Sequence, residues 1–347
     1  MSASSSVLNA CNTLQVELEE NWKNCHTIRE PLPILEFLYS PENREPIREI
    51  ISTGGGKLRT VQVRYDQRIG ESAVNSNQSV TACSASTKRA DYVKTYSMDI
   101  NKNLQIEEKW DIQDLVHICR DNGVFMASRI QHLIDALMRK VATVCATESV
   151  ALVGGWASDV TVDAQNELNV QTFKTGSTDA LYPYTMEEID LALTKSGYCA
   201  PVVIIGGSTL YQYARRVQAG CCSDSGVDLG QLYSSYGKAV LWDRRVKSAY
   251  GSEDKSLVAQ IGALQLLTFN MFEGTGNPIE GGDYRRLVIN DPLTGFPIDM
   301  TMKDDCGTIS IILTATTKVV ALPDDLFANG DVFDGVTYAA TIQVVNS

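Results

Sequence analysis

The sequence predicts a mixed α+β fold, and three patterns along the chain support this class. Apolar residues with a helical period run on from Val124 and mark one long helix. Apolar and polar residues alternate over residues 57–68, as in a strand with one solvent-facing side. Between about 184 and 260, helical and strand patterns alternate, and strand patterns follow to the end of the chain. This combination predicts α+β rather than a purely parallel α/β fold.

The chain begins with a segment that we expect to form an arm. Residues 12–27 have modest helical amphipathicity, and prolines at 31, 33, 41 and 46 then prevent long regular structure. We therefore predict an arm that contributes little to the core.

The next segment predicts a long β-hairpin. Its first strand covers residues 57–68, and a period of two resumes from Tyr96 to Ile106. Residues 69–91, between them, are rich in Ser, Ala, Asn and Thr, and a tip of this length indicates contact with a neighbouring chain. Gly54–Gly56 precede the hairpin and are expected to act as a hinge, since the sequence around them departs from a phosphate-binding loop.

A helical region is predicted to begin at Asp111 and to continue to about residue 148. Its second part, some 25 residues from Val124, would span roughly 37 Å at 1.5 Å per residue. Such a helix is expected to serve as a spine for the domain.

The central region has explicit start and stop signals for helices. Thr185 and Glu188 have the spacing of a capping box, and Gly197 supplies a helix stop. In the stretch VVIIGGSTLYQYARR, residues 202–216, a strand turns through two glycines into a helix. We expect Ser208 to be the N-cap residue of this helix.

Further elements follow from the same patterns. The helix after Ser208 is predicted to cover 209–219 and to end at Gly220. Strands are predicted at 238–246, 261–272, 308–313, 318–322 and 336–345.

Composition excludes several classes of protein. The net charge of −12 disfavours tight binding of nucleic acid, and no apolar run is long enough to cross a membrane. The first residues lack the pattern of a signal peptide, which predicts synthesis in a cytoplasm. Nine cysteines without a CxxC spacing are expected to be reduced.

Catalytic and ligand-binding motifs are incomplete. The Gly206-Gly207 pair lacks the third glycine of a dinucleotide fingerprint, and the sequence around Ser208 lacks the last glycine of a nucleophile elbow. The three histidines, His26, His117 and His132, have no metal-ligand spacing. We therefore assign no catalytic, cofactor-binding or metal residue, expect no cofactor, and predict that the chain is not an enzyme.

Several stretches resemble a known family. Residues 200–214 are similar to the strand, turn and helix of the axial domain in major capsid proteins of tailed bacteriophages, which have the Hong Kong 97-type (HK97-like) capsid fold. The stretch 238–246, with Trp242 and Asp243, resembles the family's next strand, and Gly262-Ala263-Leu264-Gln265 resembles a step common in the family. The stretches 291–295 and 322–327 resemble features of large phage relatives.

The resemblance implies an order of domains. Residues 1–48 correspond to the N-terminal arm, 49–91 to the extended loop, and 92–183 to the peripheral domain with its spine helix at about 112–148. Residues 184–260 correspond to the axial domain, and 261–347 to strands that return to the peripheral domain.

The resemblance also implies a function. The chain is expected to be a structural protein that self-assembles, as hexamers and pentamers, into the icosahedral head of a virion around double-stranded DNA. Portal, scaffold and cement proteins would be partners, assembly would take place in the host cytoplasm, and no membrane would be involved. Two alternatives remain open, an encapsulin-like nanocompartment shell and an α/β hydrolase that uses Ser208.

Overall fold

The computed structural model describes most of the chain in separate ranges. These are residues 30–44, 50–52, 60–66, 93–100, 102–111, 122–173, 181–182, 184–198, 201–221, 238–270, 279–281, 284–305, 307–321 and 338–345. The predicted helix at 12–27, the hairpin tip at 69–91, the Gly54–Gly56 hinge and the stretch 322–327 lie outside these ranges, as do 112–121 and the histidines 26 and 117.

The described residues form six helices and fourteen strands, so the predicted α+β class is confirmed. The helices are α1 (Pro33–Tyr39), α2 (Pro41–Arg44), α3 (Asn122–Ala151), α4 (Thr185–Lys195), α5 (Ser208–Cys221) and α6 (Arg244–Tyr250). The first strands are β1 (Ile50–Ser52), β2 (Thr60–Asp66), β3 (Val93–Asp99), β4 (Lys102–Asp111), β5 (Leu168–Val170), β6 (Val202–Gly206) and β7 (Lys238–Trp242). The remaining strands are β8 (Lys255–Gln260), β9 (Leu264–Phe269), β10 (Ile279–Gly281), β11 (Tyr284–Asn290), β12 (Pro297–Asp305), β13 (Thr308–Ala321) and β14 (Ala339–Val344).

The long helix is the element that the sequence predicts best. Helix α3 has 30 residues, which corresponds to roughly 45 Å at 1.5 Å per residue. Its buried side chains recur every three or four residues, as an amphipathic helix requires. They are Ala127, Ile130, Leu133, Ile134, Leu137, Met138, Val141, Ala142, Cys145 and Ala146.

The predicted hairpin is present. Strands β2 and β3 pair antiparallel from Thr60 opposite Asp99 to Asp66 opposite Val93, and β1 adds a third strand beside β2. Alternating sequence therefore identified both strands of the pair, although the second strand ends at Asp99 instead of continuing to Ile106.

The chain divides into two compact units. The first contains the described residues within Met1–Tyr39, Ile100–Val144 and Leu267–Lys318. Its sheet has the order β10-β11-β12-β13-β4, and β9 also pairs with β13. Inside this unit the rings of Tyr39 and Phe296 lie 5.4 Å apart, so the end of α1 packs against the residue that precedes β12.

The second unit contains the described residues within Ser40–Asp99, Cys145–Leu266 and Val319–Ser347. Its main sheet has the order β5-β14-β8-β6-β7, in which β6 and β7 run parallel and β6 and β8 antiparallel. Helices α4 and α5 bury Ile189 and Leu210 in one apolar cluster with Ile204 of β6, so both helices cover the same face of this sheet.

Helix α6 covers the other face. Its Tyr250 hydroxyl shares a 2.9 Å hydrogen bond with the hydroxyl of Thr341, whose neighbours in β14, Ala340 and Ile342, belong to the α4 and α5 cluster. Because side chains alternate between the two faces of a strand, Thr341 and α6 lie on the opposite side of the sheet.

Four boundary predictions are wrong. Asp111 ends strand β4 instead of starting a helix, and α5 continues through Gly220 to Cys221. The predicted strand 238–246 stops at Trp242, where Asp243 caps α6 by accepting a 2.7 Å hydrogen bond from the amide of Arg245. The two predicted strands at 308–313 and 318–322 are one continuous strand, β13.

The predicted capping box of α4 is also wrong. The N-cap position is Tyr184, and the hydroxyl of Thr185 donates to the Gln171 carbonyl and lies 3.2 Å from the Tyr182 carbonyl oxygen. The Glu188 carboxylate accepts instead from the Tyr182 hydroxyl at 3.1 Å. The predicted stop at Gly197 is confirmed, since Gly197 has a φ of 72° directly after the last turn of the helix.

Candidate functional site

The glycine pair at the corner between β6 and α5 meets two separate steric demands. Gly206 has a φ of 139°, a conformation that side-chain-bearing residues rarely adopt. A Cβ atom on Gly207 would meet the carbonyl oxygens of Glu253 and Lys255, the latter at 2.8 Å. The pair therefore permits a sharp turn and a close approach to the segment that leads into β8.

The start of α5 is held by that same segment. The amide of Gly207 donates to the Lys255 carbonyl at 3.0 Å and lies 3.1 Å from the Ser256 hydroxyl oxygen. The hydroxyl of Thr209 donates to the Asp254 carboxylate at 2.7 Å. Groups from a distant part of the chain thus satisfy donors at this helix terminus.

Ser208 has a different role from the one that the sequence predicts. It is the first residue of α5, and its hydroxyl donates to the Glu253 carboxylate, which also forms an ion pair with Lys247. The hydrogen bonds from Lys247 and Ser208 hold the pKa of Glu253 below its ordinary value. The predicted N-cap role of Ser208 is therefore wrong, because Ser208 is itself the first helical residue and Gly207 occupies the position before the helix, where its carbonyl accepts from the Tyr211 amide.

This geometry is unsuitable for either of the chemistries that the glycine motif suggested. A serine nucleophile needs a base that can accept its proton near neutral pH, whereas the partner of Ser208 is a carboxylate with a lowered pKa. A phosphate at the start of α5 would meet the carboxylates of Glu253 and Asp254. Hydrogen bonds at the start of α5 and close packing against residues 253–256 account for the corner.

The described residues lack two further features that would point to a function, a metal site and a membrane-spanning helix. They contain no group of three or more His, Cys, Asp or Glu side chains that could hold a metal ion. No helix among them has the length and apolarity to cross a membrane. Cys145 is a buried free thiol whose pKa is raised by burial, as expected of a reduced cysteine on a core face.

A buried polar cluster fixes the segment that follows α1. Asn43, in α2, is fully buried; its amide nitrogen donates to the Leu264 carbonyl at 2.6 Å, and its amide oxygen accepts from the Gly262 amide at 2.7 Å. Gln265 donates to the Asn43 carbonyl at 3.0 Å. The end of the predicted arm is therefore tied to the 262–265 step that resembles the capsid family, a contact that the sequence pattern did not indicate.

The second unit exposes large apolar side chains. Tyr184, beside α4, is 54% exposed and Leu191 of α4 is 57% exposed. Trp242, at the end of β7, is 44% exposed. Val345, in the same unit, is also 37% exposed.

Comparison with known proteins finds similarity at the level of structure. No protein-family model and no curated protein matches the sequence. Among solved structures, the chain is similar to the capsid asymmetric unit of cyanophage A-1(L), with a TM-score of 0.57, 14% identity, and coverage of 93% of this chain and 95% of that chain.

Two further structures show weaker similarity. The capsid of cyanophage P-SCSP1u has a TM-score of 0.42 at 12% identity, covering 86% of this chain and 85% of that one. A virus-like particle from Pyrococcus furiosus has a TM-score of 0.41 at 9% identity, covering 96% and 98%.

The first similarity extends over nearly the whole length of both chains. The chain therefore has the fold of the Hong Kong 97-type capsid proteins, and the fold prediction made from the sequence is confirmed.

Proposed function

We propose that this chain is the major capsid protein of a tailed bacteriophage, a structural subunit that self-assembles into an icosahedral head around double-stranded DNA. The observation that carries the proposal is the end-to-end similarity to the cyanophage A-1(L) capsid subunit, at a TM-score of 0.57 over 93% of the chain. The proposed role is structural and not enzymatic.

The proposed mechanism is assembly through repeated contacts between copies. Residues 1–48 would form the arm, and 49–91 the extended loop, with its hairpin completed by Val93–Asp99. Residues 184–260 would form most of the axial domain around the axes of hexamers and pentamers, with β5 and β14 added to its sheet. The rest of 92–183 and of 261–347 would form the peripheral domain. The antiparallel pairing of β2 with β3 supports the hairpin part of this assignment.

The charge of the chain supports an enclosing role. A net charge of −12 gives a surface that repels a phosphate backbone, so packaged DNA would be contained without tight binding. The protein would reside in the virion after assembly in the host cytoplasm, with portal, scaffold and cement proteins as further partners.

Electron microscopy of the purified full-length chain tests the proposal. We expect closed shells or ring-shaped capsomers in negative stain over a series of salt and protein concentrations. Particles that remain monomeric under all of these conditions would contradict a capsid function.

The contents of the particles separate the related alternatives. Nuclease-protected DNA in particles from infected cells supports a phage head, whereas a co-purifying enzyme cargo would indicate an encapsulin-like compartment. Any hydrolase activity that disappears in Ser208→Ala, with the melting temperature unchanged, would favour the enzyme alternative.

A further inference from the structure

Helix α3 has a solvent-exposed side that is basic. Between Ala127 and Val144 the exposed side chains of the helix are His132, Arg139, Lys140 and Thr143. Asp135 is the sole acidic residue in this range of the sequence, and it is buried. The exposed side of this part of α3 therefore carries no carboxylate.

Three of these residues form a short stripe, which we call the α3 basic stripe and define by His132, Arg139 and Lys140. Arg139 and Lys140 follow His132 by about two turns of an α-helix, so the three side chains lie on one side of α3. At 1.5 Å per residue the stripe extends for about 12 Å. It offers two cations and an imidazole ring that can donate a hydrogen bond.

The two cations of the stripe have no acidic partner in the described part of the chain. Neither Arg139 nor Lys140 forms an ion pair there, and the Arg139 Nε donates to the Asp135 carbonyl at 3.2 Å. Arg129 differs, because its Nε donates to the Glu108 carboxylate of β4 at 3.0 Å. The charges of Arg139 and Lys140 are therefore not neutralised by the described residues.

The two faces of strand β4 have different surroundings. Arg129 bonds to Glu108, so α3 lies on the side of the sheet to which Glu108 projects. Glu107 and Lys109 project to the opposite face, because side chains alternate along a strand. On that face Lys109 forms an ion pair with Glu107 at 3.1 Å.

Lys303 of β12 lies on the same opposite face of the sheet. Lys303 and Lys109 are both directly opposite Ser310 of β13, so the three side chains project to one side. Lys303 forms an ion pair with Asp305 at 3.3 Å. We call this surface the far sheet face and define it by Glu107, Lys109, Lys303 and Asp305. Its two lysines have carboxylate partners, unlike the cations of the α3 basic stripe.

We propose that the α3 basic stripe contacts the phosphate backbone of double-stranded DNA inside the shell. Unpaired cations on one helix of a chain with a net charge of −12 form a local complement to a polyanion. This inference rests on the proposed function and specifies which surface of the subunit faces the packaged DNA.

The side chains beside the stripe favour a polyanion over a protein partner. Ala136 and Thr143, which lie next to the basic residues on the helix, are small. None of the exposed side chains between Ala127 and Val144 is aromatic or aliphatic, whereas protein–protein interfaces usually have such side chains at their centre. A polar, basic surface is typical of contacts with phosphate groups.

The contact is expected to be weak for a single copy. Two cations neutralise about two phosphates, so the logarithm of the binding constant should fall with the logarithm of the salt concentration with a slope of about −1.8. The net charge of −12 opposes binding by the rest of the surface. Many copies in one shell add their contacts, so DNA would be held near the shell without tight binding to any one subunit.

Binding of the full-length chain to a short fluorescent DNA duplex tests the proposal. The unassembled fraction is used, because a closed shell would exclude the duplex from its inner surface. Fluorescence anisotropy is measured from about 20 to 200 mM NaCl, a range over which phosphate contacts weaken strongly.

Two variants with equal net charge locate the contact. The stripe variant carries Arg139→Gln and Lys140→Gln, and the matched control carries Lys109→Gln and Lys303→Gln on the far sheet face. We expect binding at least about fivefold weaker in the stripe variant, with a salt slope closer to zero by about 1.8. The control should bind within about twofold of the unaltered chain, and melting temperatures confirm that both variants are folded.

Three outcomes would overturn the inference. Equal losses in the two variants would show that net charge alone sets the affinity. The second is an unaltered chain that does not bind the duplex at the lowest salt concentration. The third is tighter binding of polyglutamate than of DNA, which would indicate an acidic protein as the partner.

Shell formation separates this inference from the proposed function. If the inference fails, the unaltered chain still forms shells in negative stain. If the proposed function fails, the unaltered chain remains monomeric.

Discussion

At the scale of single residues, neighbouring positions in one motif have unrelated roles. Gly206 is required by its φ of 139°, whereas Gly207 is required by the carbonyls that pass beside it. Ser208 contributes a hydrogen bond to Glu253 on the surface. The Gly206-Gly207-Ser208 motif, which resembled a catalytic or phosphate-binding turn, therefore has a structural role, and each of its residues is required for a different local contact or backbone conformation.

Gly207→Ala is expected to destabilise the protein by about 1–3 kcal/mol, since the added methyl group must displace backbone atoms. The Lys255 carbonyl oxygen would lie 2.8 Å from the new Cβ and belongs to strand β8, which the sheet holds in place. The measurement is the free energy of unfolding in urea.

Ser208→Ala is the matched control for this corner. It removes only an exposed hydrogen bond and should leave the unfolding midpoint close to that of the unaltered chain. Equal stability of Gly207→Ala and the unaltered chain would show that the corner is looser than its contacts indicate.

At the scale of elements, one aspartate converts an apparent strand into a strand and a helix. The pattern KAVLWDRRV reads as one strand, but Asp243 caps α6, and Val246 is buried on the helix instead of on the strand. Asp243 also lies 3.7 Å from the Arg245 guanidinium in a buried ion pair. A side-chain acceptor at the right position thus overrides the apolar alternation.

Asp243→Ala should cost about 1 kcal/mol for the lost cap, and more if the buried Arg245 loses a partner that nothing replaces. Asp243→Asn keeps an acceptor for the Arg245 amide and should cost less. Thermal unfolding of the three proteins measures the difference. If Asn destabilised as much as Ala, the ion pair and not the cap would account for the effect.

At the scale of the whole molecule, the exposed apolar side chains have no evident role in folding of a single copy. Trp242 leaves 44% of its surface in solvent at the end of an edge strand. Among the described residues, no strand pairs with the outer edge of β7, and natural proteins usually protect such edges. Under the proposed capsid function, a neighbouring subunit would cover Trp242.

Trp242→Ala should therefore reduce assembly far more than stability. We expect a melting temperature within a few degrees of the unaltered chain and a lower yield of rings or shells in sedimentation and electron microscopy. Leu293→Ala, at a residue 58% exposed in the other unit, is the control for loss of an apolar surface group. A large loss of melting temperature with normal assembly would contradict this assignment.

The sequence predicted those elements of the fold whose hydrophobic periodicity is visible within a short stretch of residues. Helix α3 was recognised because its buried positions recur every three or four residues, and the β2 and β3 strands because their residues alternate. Strand β8 was missed because it lies between β14 and β6 and is buried on both faces, so its residues do not alternate. Strands β11 and β12 were also missed, although both belong to the sheet of the first unit.

The sequence predicted the fold better than it predicted the long-range side-chain contacts and the exposed apolar side chains. The sequence by itself determined the α+β class, the long helix, the hairpin and the resemblance to capsid proteins, since each depends on periodicity or on short ordered stretches. Only the tertiary structure decided that Ser208 bonds to Glu253, that Asn43 bonds to Gly262 and Leu264, and which apolar side chains stay in solvent. Those facts depend on residues brought together from distant parts of the chain, and no local pattern records which partner a side chain will meet.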